Sequence, residues 1–176
     1  VFRAYENLDK AWKAYLPHAG KAMDVSSVLP DGGRLLPSGT DVMFDNRTHW
    51  MTDAEGGNYR VFAIDGSDAQ RGDATGENMI ERYCTGNFLA GQGLIYASAS
   101  GLPVGRYVFK AVAQKGADGG VIELFANDDR SPVTSVKVLR ETEVATDVLD
   151  QDLTVGVESG LNNACQWVSF ADVALE

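Results

Sequence analysis

The chain has 176 residues, with 25 Asp and Glu against 15 Lys and Arg and a formal net charge of −10. That length holds one domain with a real core and a small appendage rather than two domains. The acidic balance repels nucleic-acid phosphates and anionic membrane surfaces, and no apolar run is long enough to predict a helical membrane span.

The first residues carry a helical pattern. Val1, Tyr5, Leu8, Trp12 and Tyr15 recur at intervals of three and four, with Arg3, Glu6, Asp9, Lys10 and Lys13 between them, so an amphipathic helix is predicted that ends near Pro17. One isolated helix cannot bury that stripe, so residues 1–20 are expected to pack on the rest of the chain or to be the tail of an upstream helical segment. A start at Val1 inside such a pattern points to a mature product or a piece of a longer protein. Residues 21–39 are rich in Asp, Ser, Gly and Pro and read as a connector, with apolar anchors at Val28, Leu29, Leu35 and Leu36.

From residue 40 onward the pattern is that of strands. Thr40 to Phe44 is expected to be short, followed by a loop that delivers Trp50. Tyr59 to Ile64 reads as a strand, the polar run from Asp65 to Gly76 as a surface loop, and Asn78 to Cys84 as a strand with Met79, Glu81 and Tyr83 on one side and Ile80, Arg82 and Cys84 on the other. The central pair is Leu94 to Ala99 and Arg106 to Ala113, separated by a break that contains Pro103 and Gly105. In the second of these Tyr107, Phe109, Ala111 and Ala113 share a face.

A hairpin follows, Val121 to Ala126 and Val133 to Leu139 about a turn at 127–130, and then a strand carrying Leu153, Val155 and Val157. In the last strand, Gln166 to Leu175, Val168 and Phe170 are out of phase with Val173 and Leu175. A bulge near Ala171-Asp172 would bring all four into the core. The fold class is therefore all-β, an antiparallel β-sandwich with one N-terminal amphipathic helix, the sandwich occupying 40–176.

Five stretches carry a family likeness: Glu81-Arg82-Tyr83-Cys84, Gly101-Leu102-Pro103-Val104-Gly105-Arg106-Tyr107, Glu123-Leu124-Phe125-Ala126-Asn127-Asp128, Leu153 to Ser159, and Asn163 to Val173. In this order they resemble the galactose-binding-domain-like jelly-roll modules of secreted Bacteroidetes proteins, related in fold to carbohydrate-binding modules. The resemblance implies a jelly roll and a non-catalytic carbohydrate-binding module of a secreted or cell-surface bacterial protein. It further implies a glycan or polysaccharide as partner, other domains in a longer parent protein, and a lipoprotein anchor lying further upstream. The alternatives are a structural spacer or protein-interaction sandwich with no sugar site and, behind both, a glycoside hydrolase.

Sugar-binding modules stack an aromatic face on a pyranose while amides, carboxylates and Arg hydrogen-bond its hydroxyls. Trp50, Tyr59, Arg60, Arg82, Tyr83, Asn87 and Phe88 have that chemistry, and Trp50, in a loop, leads them; the competing role for each aromatic is core packing. Trp167, inside an apolar strand, reads as core. By resemblance a structural calcium would be held by Glu81 and Asp172, whose competing role is that of solvated carboxylates; the Asp65 to Glu77 loop fails the EF-hand pattern. Cys84 and Cys165 either pair, closing a loop of about 80 residues worth roughly 3 to 5 kcal/mol in an oxidising compartment, or stand as separate buried thiols. For catalysis, neither His18 nor His49 belongs to a triad spacing, and no nucleophile elbow, metalloprotease helix or phosphate loop is present. A glycosidase would require two carboxylates flanking a cleft.

Overall fold

The computed structural model describes residues 22–30, 50–52, 58–66, 69–83, 88–117, 120–163 and 167–176. The predicted N-terminal helix (1–20), the strand at 40–44, Asn87, Cys84 and Cys165 lie outside them.

Nine strands are described: β1 (Asn58–Ala63), β2 (Asn78–Tyr83), β3 (Gly93–Ala99), β4 (Gly105–Lys115), β5 (Gly120–Ala126), β6 (Asp129–Pro132), β7 (Arg140–Val148), β8 (Leu153–Asn163) and β9 (Trp167–Leu175). They form a five-stranded sheet in the order β1-β2-β9-β4-β7 and a four-stranded sheet in the order β3-β8-β5-β6, with every named pair antiparallel. From β2 to β5, and again from β6 to β9, each strand lies in the sheet opposite its predecessor's, which is jelly-roll winding. Among the described residues the only helical turns are two short 3-10 pieces, Ser26–Val28 and Ile64–Gly66.

The period-2 pattern decides what lies between the sheets. Tyr107, Phe109, Ala111 and Ala113 of β4, Ile95 and Ala97 of β3, Leu124 and Ala126 of β5, and Val155 and Val157 of β8 meet in one core. The expected bulge in β9 is present: Asp172 has φ +47°, the pairing with β4 slips between Lys110 and Val112, and Val168, Phe170, Val173 and Leu175 all reach that core. A second, smaller cluster of Ile64, Ala69, Ala74, Met79, Val112, Leu139 and Ala171 sits on the outer face of the five-stranded sheet, under the loop from Ile64 to Glu77.

The hairpin differs from the sequence reading. The partner of β5 is the four-residue β6, inside the predicted turn, and 133–139 forms only isolated bridges, Val136 to Lys115 and Val138 to Gln70. The strand that follows is β7, whose outward Glu141, Glu143 and Asp147 hide an inward row of Val144, Thr146 and Val148. Pro132 is tolerated because β6 is a short edge strand, paired with β5 on one side only among the described residues, and its nitrogen faces the open side while Val133 N–H donates to Ile122 O of β5.

Candidate functional site

The residues singled out in the sequence fall into three places. Trp50 is 4 % exposed and packs edge-on against Phe170, ring centroids 5.1 Å apart at 76°. The cause is local: Met51 N–H donates to Tyr96 O at 2.7 Å and Tyr96 N–H to Met51 O at 3.0 Å, so the segment runs along the β3 edge and turns Trp50 inward. Phe88 is also buried in the main core. Arg82 has no solvent exposure; its Nε donates to Thr52 Oγ1 at 3.3 Å and its Nη1 to Tyr83 O at 2.9 Å, tying residues 50–52 to β2. Tyr83 is half-buried, opposite Trp167 on the outer face of the five-stranded sheet. Trp167, read from sequence as core, is half-buried too, with its ring over Gly116. Tyr59 and Arg60 lie on β1, opposite Arg82 and Glu81.

Glu81 and Asp172 test the calcium expectation. Glu81 is buried and its Oε2 accepts from Ser169 Oγ at 3.4 Å, in a buried polar row completed by Gln114 Nε2 donating to Ser169 Oγ at 3.1 Å. Asp172 lies three residues beyond Ser169, about 10 Å along the strand. Its oxygens accept from Thr75 N–H, from Thr75 Oγ1 at 3.0 Å and from Gly76 N–H at 2.9 Å. Arg71 supplies the positive charge of this loop: Nε and Nη2 donate to Asp65 at 3.1 and 2.8 Å, and Nη1 to Gly76 O at 2.6 Å. Asp73 accepts from Arg140 Nη1 at 2.8 Å and Glu141 N–H at 3.1 Å. Asp172 is thus engaged by the N–H and O–H groups of Thr75 and Gly76, at a different position on the strand from the Ser169 hydroxyl that Glu81 accepts from. Among the described residues no three of His, Cys, Asp and Glu gather as a metal site.

Hydrogen bonds hold Asp65 and Asp73 of this loop in their charged forms. Asp65 is kept below the ordinary carboxylate range by its hydrogen bonds from Arg71, and Asp73 by the Glu141 N–H and then by Arg140.

The side chains best placed to meet a ligand lie on the outer face of the four-stranded sheet. Registers put Tyr96 of β3, Gly156 of β8, Phe125 of β5 and Arg130 of β6 in one row. Phe125 is 7 % exposed yet belongs to neither core cluster; what covers it is the Arg130 guanidinium, 5.2 Å from the ring centroid. Arg130 Nε is ion-paired to Glu158, and its Nη1 donates to Asp129 O at 3.0 Å and also to Asn127 O. Between the aromatics Gly156 has no room for a side chain, since a Cβ there would fall 2.6 Å from Tyr96 Cα. Tyr96 and Phe125 thus stand on the strands either side of Gly156, their Cα atoms about 10 Å apart, and the β3 backbone closes tightly over the glycine.

Along β8 the same face continues from Thr154, whose hydroxyl meets Ser98 Oγ at 2.9 Å, through Gly156 and Glu158 to Gly160. A recess of about 220 Å³ lies here, lined by Gly91, Gly93, Tyr96, Phe125, Thr154 and Glu158. The recess sets half-buried Tyr96 beside an Arg130-capped Phe125, edged by hydroxyls, carboxylates and an immobilised guanidinium, so a stacking face and hydrogen-bonding groups stand together. The sequence reading missed all of these residues. The signal was parity: Tyr96 and Phe125 are the aromatics out of phase with the inward residues of their strands, and Gly156 is out of phase between Val155 and Val157.

No protein-family model matches the chain, and neither does any curated protein. Among solved structures the chain is similar to TmCBM61, a structure in complex with β-1,4-galactotriose, at 17 % identity and a TM-score of 0.51 over 73 % of this chain and 86 % of that one. It is also similar to a cyclase from Fischerella sp. in its apo form, at 19 % identity and a TM-score of 0.57 over 80 % of this chain and 88 % of that one. A weaker match is the CBM22-1 xylan-binding domain of Xyn10C from Paenibacillus barcinonensis, at 11 % identity and a TM-score of 0.48 over 73 % and 85 % of the two chains. The first two likenesses establish the β-sandwich fold. Among the described residues no helix is long and apolar enough to cross a membrane.

Proposed function

We propose that this chain is a non-catalytic carbohydrate-binding module whose ligand lies on the outer face of the four-stranded sheet, along β8. The observation that carries the reading is the row Tyr96–Gly156–Phe125–Arg130, in which half-buried Tyr96 and the Arg130-capped Phe125 border a recess of about 220 Å³. A pyranose seated in the recess beside Tyr96 meets that ring by its C–H face and the polar groups of Thr154, Glu158 and Arg130 by its hydroxyls. That the similar TmCBM61 was crystallised with β-1,4-galactotriose supports a glycan as the ligand class. The groove acids, Glu123 and Glu158, rise side by side from the same sheet face rather than flanking a bond from opposite sides, which supports binding over hydrolysis. In the same reading the module is secreted or displayed at a bacterial cell surface beside other domains of its parent protein.

The rival, a spacer or protein-interaction sandwich, is favoured by one specific observation, the burial of Trp50 and Phe88 where loop-borne aromatics were expected. Titration calorimetry and a glycan array with the wild type and Tyr96→Ala separate the two. Binding that weakens about tenfold in the variant supports the module, the loss of one stacking face being worth on the order of 1 kcal/mol. Silence across the array for the wild type supports the spacer.

A further inference from the structure

Glu123 and Glu158 stand directly opposite each other on β5 and β8, on the outer face. Like charges at such a pair destabilise a sheet. Glu158 is compensated by its ion pair with Arg130. Glu123 is half-buried, and among the described residues no cation bonds to it. Its carboxylate reaches across the groove floor, with Oε2 3.0 Å from where a Cβ on Gly160 would stand. Gly160 thus leaves space that the Glu123 carboxylate overhangs. The result is a carboxylate with no ion-pair partner among the described residues, on the sheet face where a ligand would pass, in a chain of net charge −10.

We infer that Glu123 sets the charge selectivity of the groove. It admits neutral glycans, accepting hydrogen bonds from their hydroxyls, and turns away glycans that carry carboxylates or sulfates. This rests on the carbohydrate-binding reading and adds a specificity-determining residue to it. A second carboxylate brought within a few ångströms of Glu123 on this open floor meets a repulsion worth about a fivefold loss in affinity when water screens it fully, and more where water is excluded. Cations of the buffer weaken the effect as ionic strength rises.

The test is affinity electrophoresis and calorimetry of the wild type and Glu123→Gln on two sets of polysaccharides, neutral (β-1,4-galactan, xylan) and acidic (polygalacturonate, chondroitin sulfate), at low and at high salt. Gln keeps the shape and one acceptor oxygen and removes the charge. The expected result is retention of the wild type by a neutral polysaccharide only. In Glu123→Gln the ratio of acidic to neutral polysaccharide affinity should rise at least about fivefold at low salt, the gain shrinking at high salt. Equal retention of the wild type by both sets overturns the inference while leaving the binding module standing. So does a Glu123→Gln variant that still rejects the acidic set. A wild type that binds neither set overturns the carbohydrate-binding reading itself.

Discussion

Asp172 ties the last strand to the loop that covers the outer core, and replacing it tests that tie. Its carboxylate accepts from Thr75 N–H, Thr75 Oγ1 and Gly76 N–H, and its φ is +47° at the bulge. A hydrogen bond to a charged group is worth about 1.5 to 3 kcal/mol, but these donors are partly exposed and recover water, so the three together are set at roughly 2 to 3 kcal/mol. The left-handed backbone costs a residue such as Ala about a further 1 to 2 kcal/mol, which Gly avoids and Asn largely avoids.

Three variants separate these contributions. Asp172→Ala should lose about 3 to 5 kcal/mol, Asp172→Gly about 1 to 2 less, and Asp172→Asn, which keeps one acceptor oxygen, about 1 kcal/mol in all. For a chain of this size the first corresponds to a fall in Tm of roughly 6 to 20 °C. The assay is urea and thermal unfolding, run with calcium and again with EDTA. Because donors and Arg71 surround this carboxylate, neither addition should change the stability difference between wild type and Asp172→Ala. An Asp172→Ala variant as stable as the wild type refutes the tie, Ala and Gly variants of equal stability refute the backbone cost, and a difference that depends on calcium or EDTA refutes the hydrogen-bonded reading of this carboxylate.

Other outcomes follow from the same geometry. Arg71→Met removes the bonds to Asp65 and to Gly76 O, and amide hydrogen exchange should rise across 69–77 while the sandwich strands keep their protection. Asp65 and Asp73 have folded-state values below their unfolded ones, so the stability they contribute is present above about pH 4 and is lost as pH falls through the depressed values. An acid titration followed by NMR should therefore show the 64–77 loop loosening on the acid side of the ordinary carboxylate range. Loosening that begins near neutrality would contradict the assignment. Glu123→Gln relieves the Glu123–Glu158 repulsion and should raise stability by about 0.2 to 1 kcal/mol in urea unfolding. Gly156→Ala drives a Cβ into Ile95 O and the Tyr96 backbone and should cost at least about 2 kcal/mol, more than an exposed strand glycine would.

Much of the sandwich was legible because its strands obey a simple period. The alternation in β4, the breaks at Pro103 and Gly105, and the phase slip that announces the bulge at Asp172 all follow from which residues must avoid water. β6 and β7 were misread because their local chemistry argues against strands: Asp129 to Pro132 is polar and ends in proline, and β7 places Thr146 in its inward row. The ligand face was hidden for a different reason. Loop position made Trp50 attractive, yet the backbone bonds of Met51 to Tyr96 turn that tryptophan inward. Tyr96 and Phe125 were passed over inside apolar strands, although their parity directs them outward. The register that aligns them about Gly156 is a tertiary fact, set by pairings among β3, β8 and β5 that no single stretch of sequence contains.

The most direct test of the binding face is chemical-shift mapping during titration with a neutral oligosaccharide such as β-1,4-galactotriose. The account predicts that perturbed amides and side chains cluster at Tyr96, Phe125, Arg130, Thr154, Gly156 and Glu158, and that the cluster disappears in Tyr96→Ala. Perturbations centred on Tyr83 and Trp167, on the other sheet, or a spectrum unchanged across a panel of neutral glycans, would contradict it.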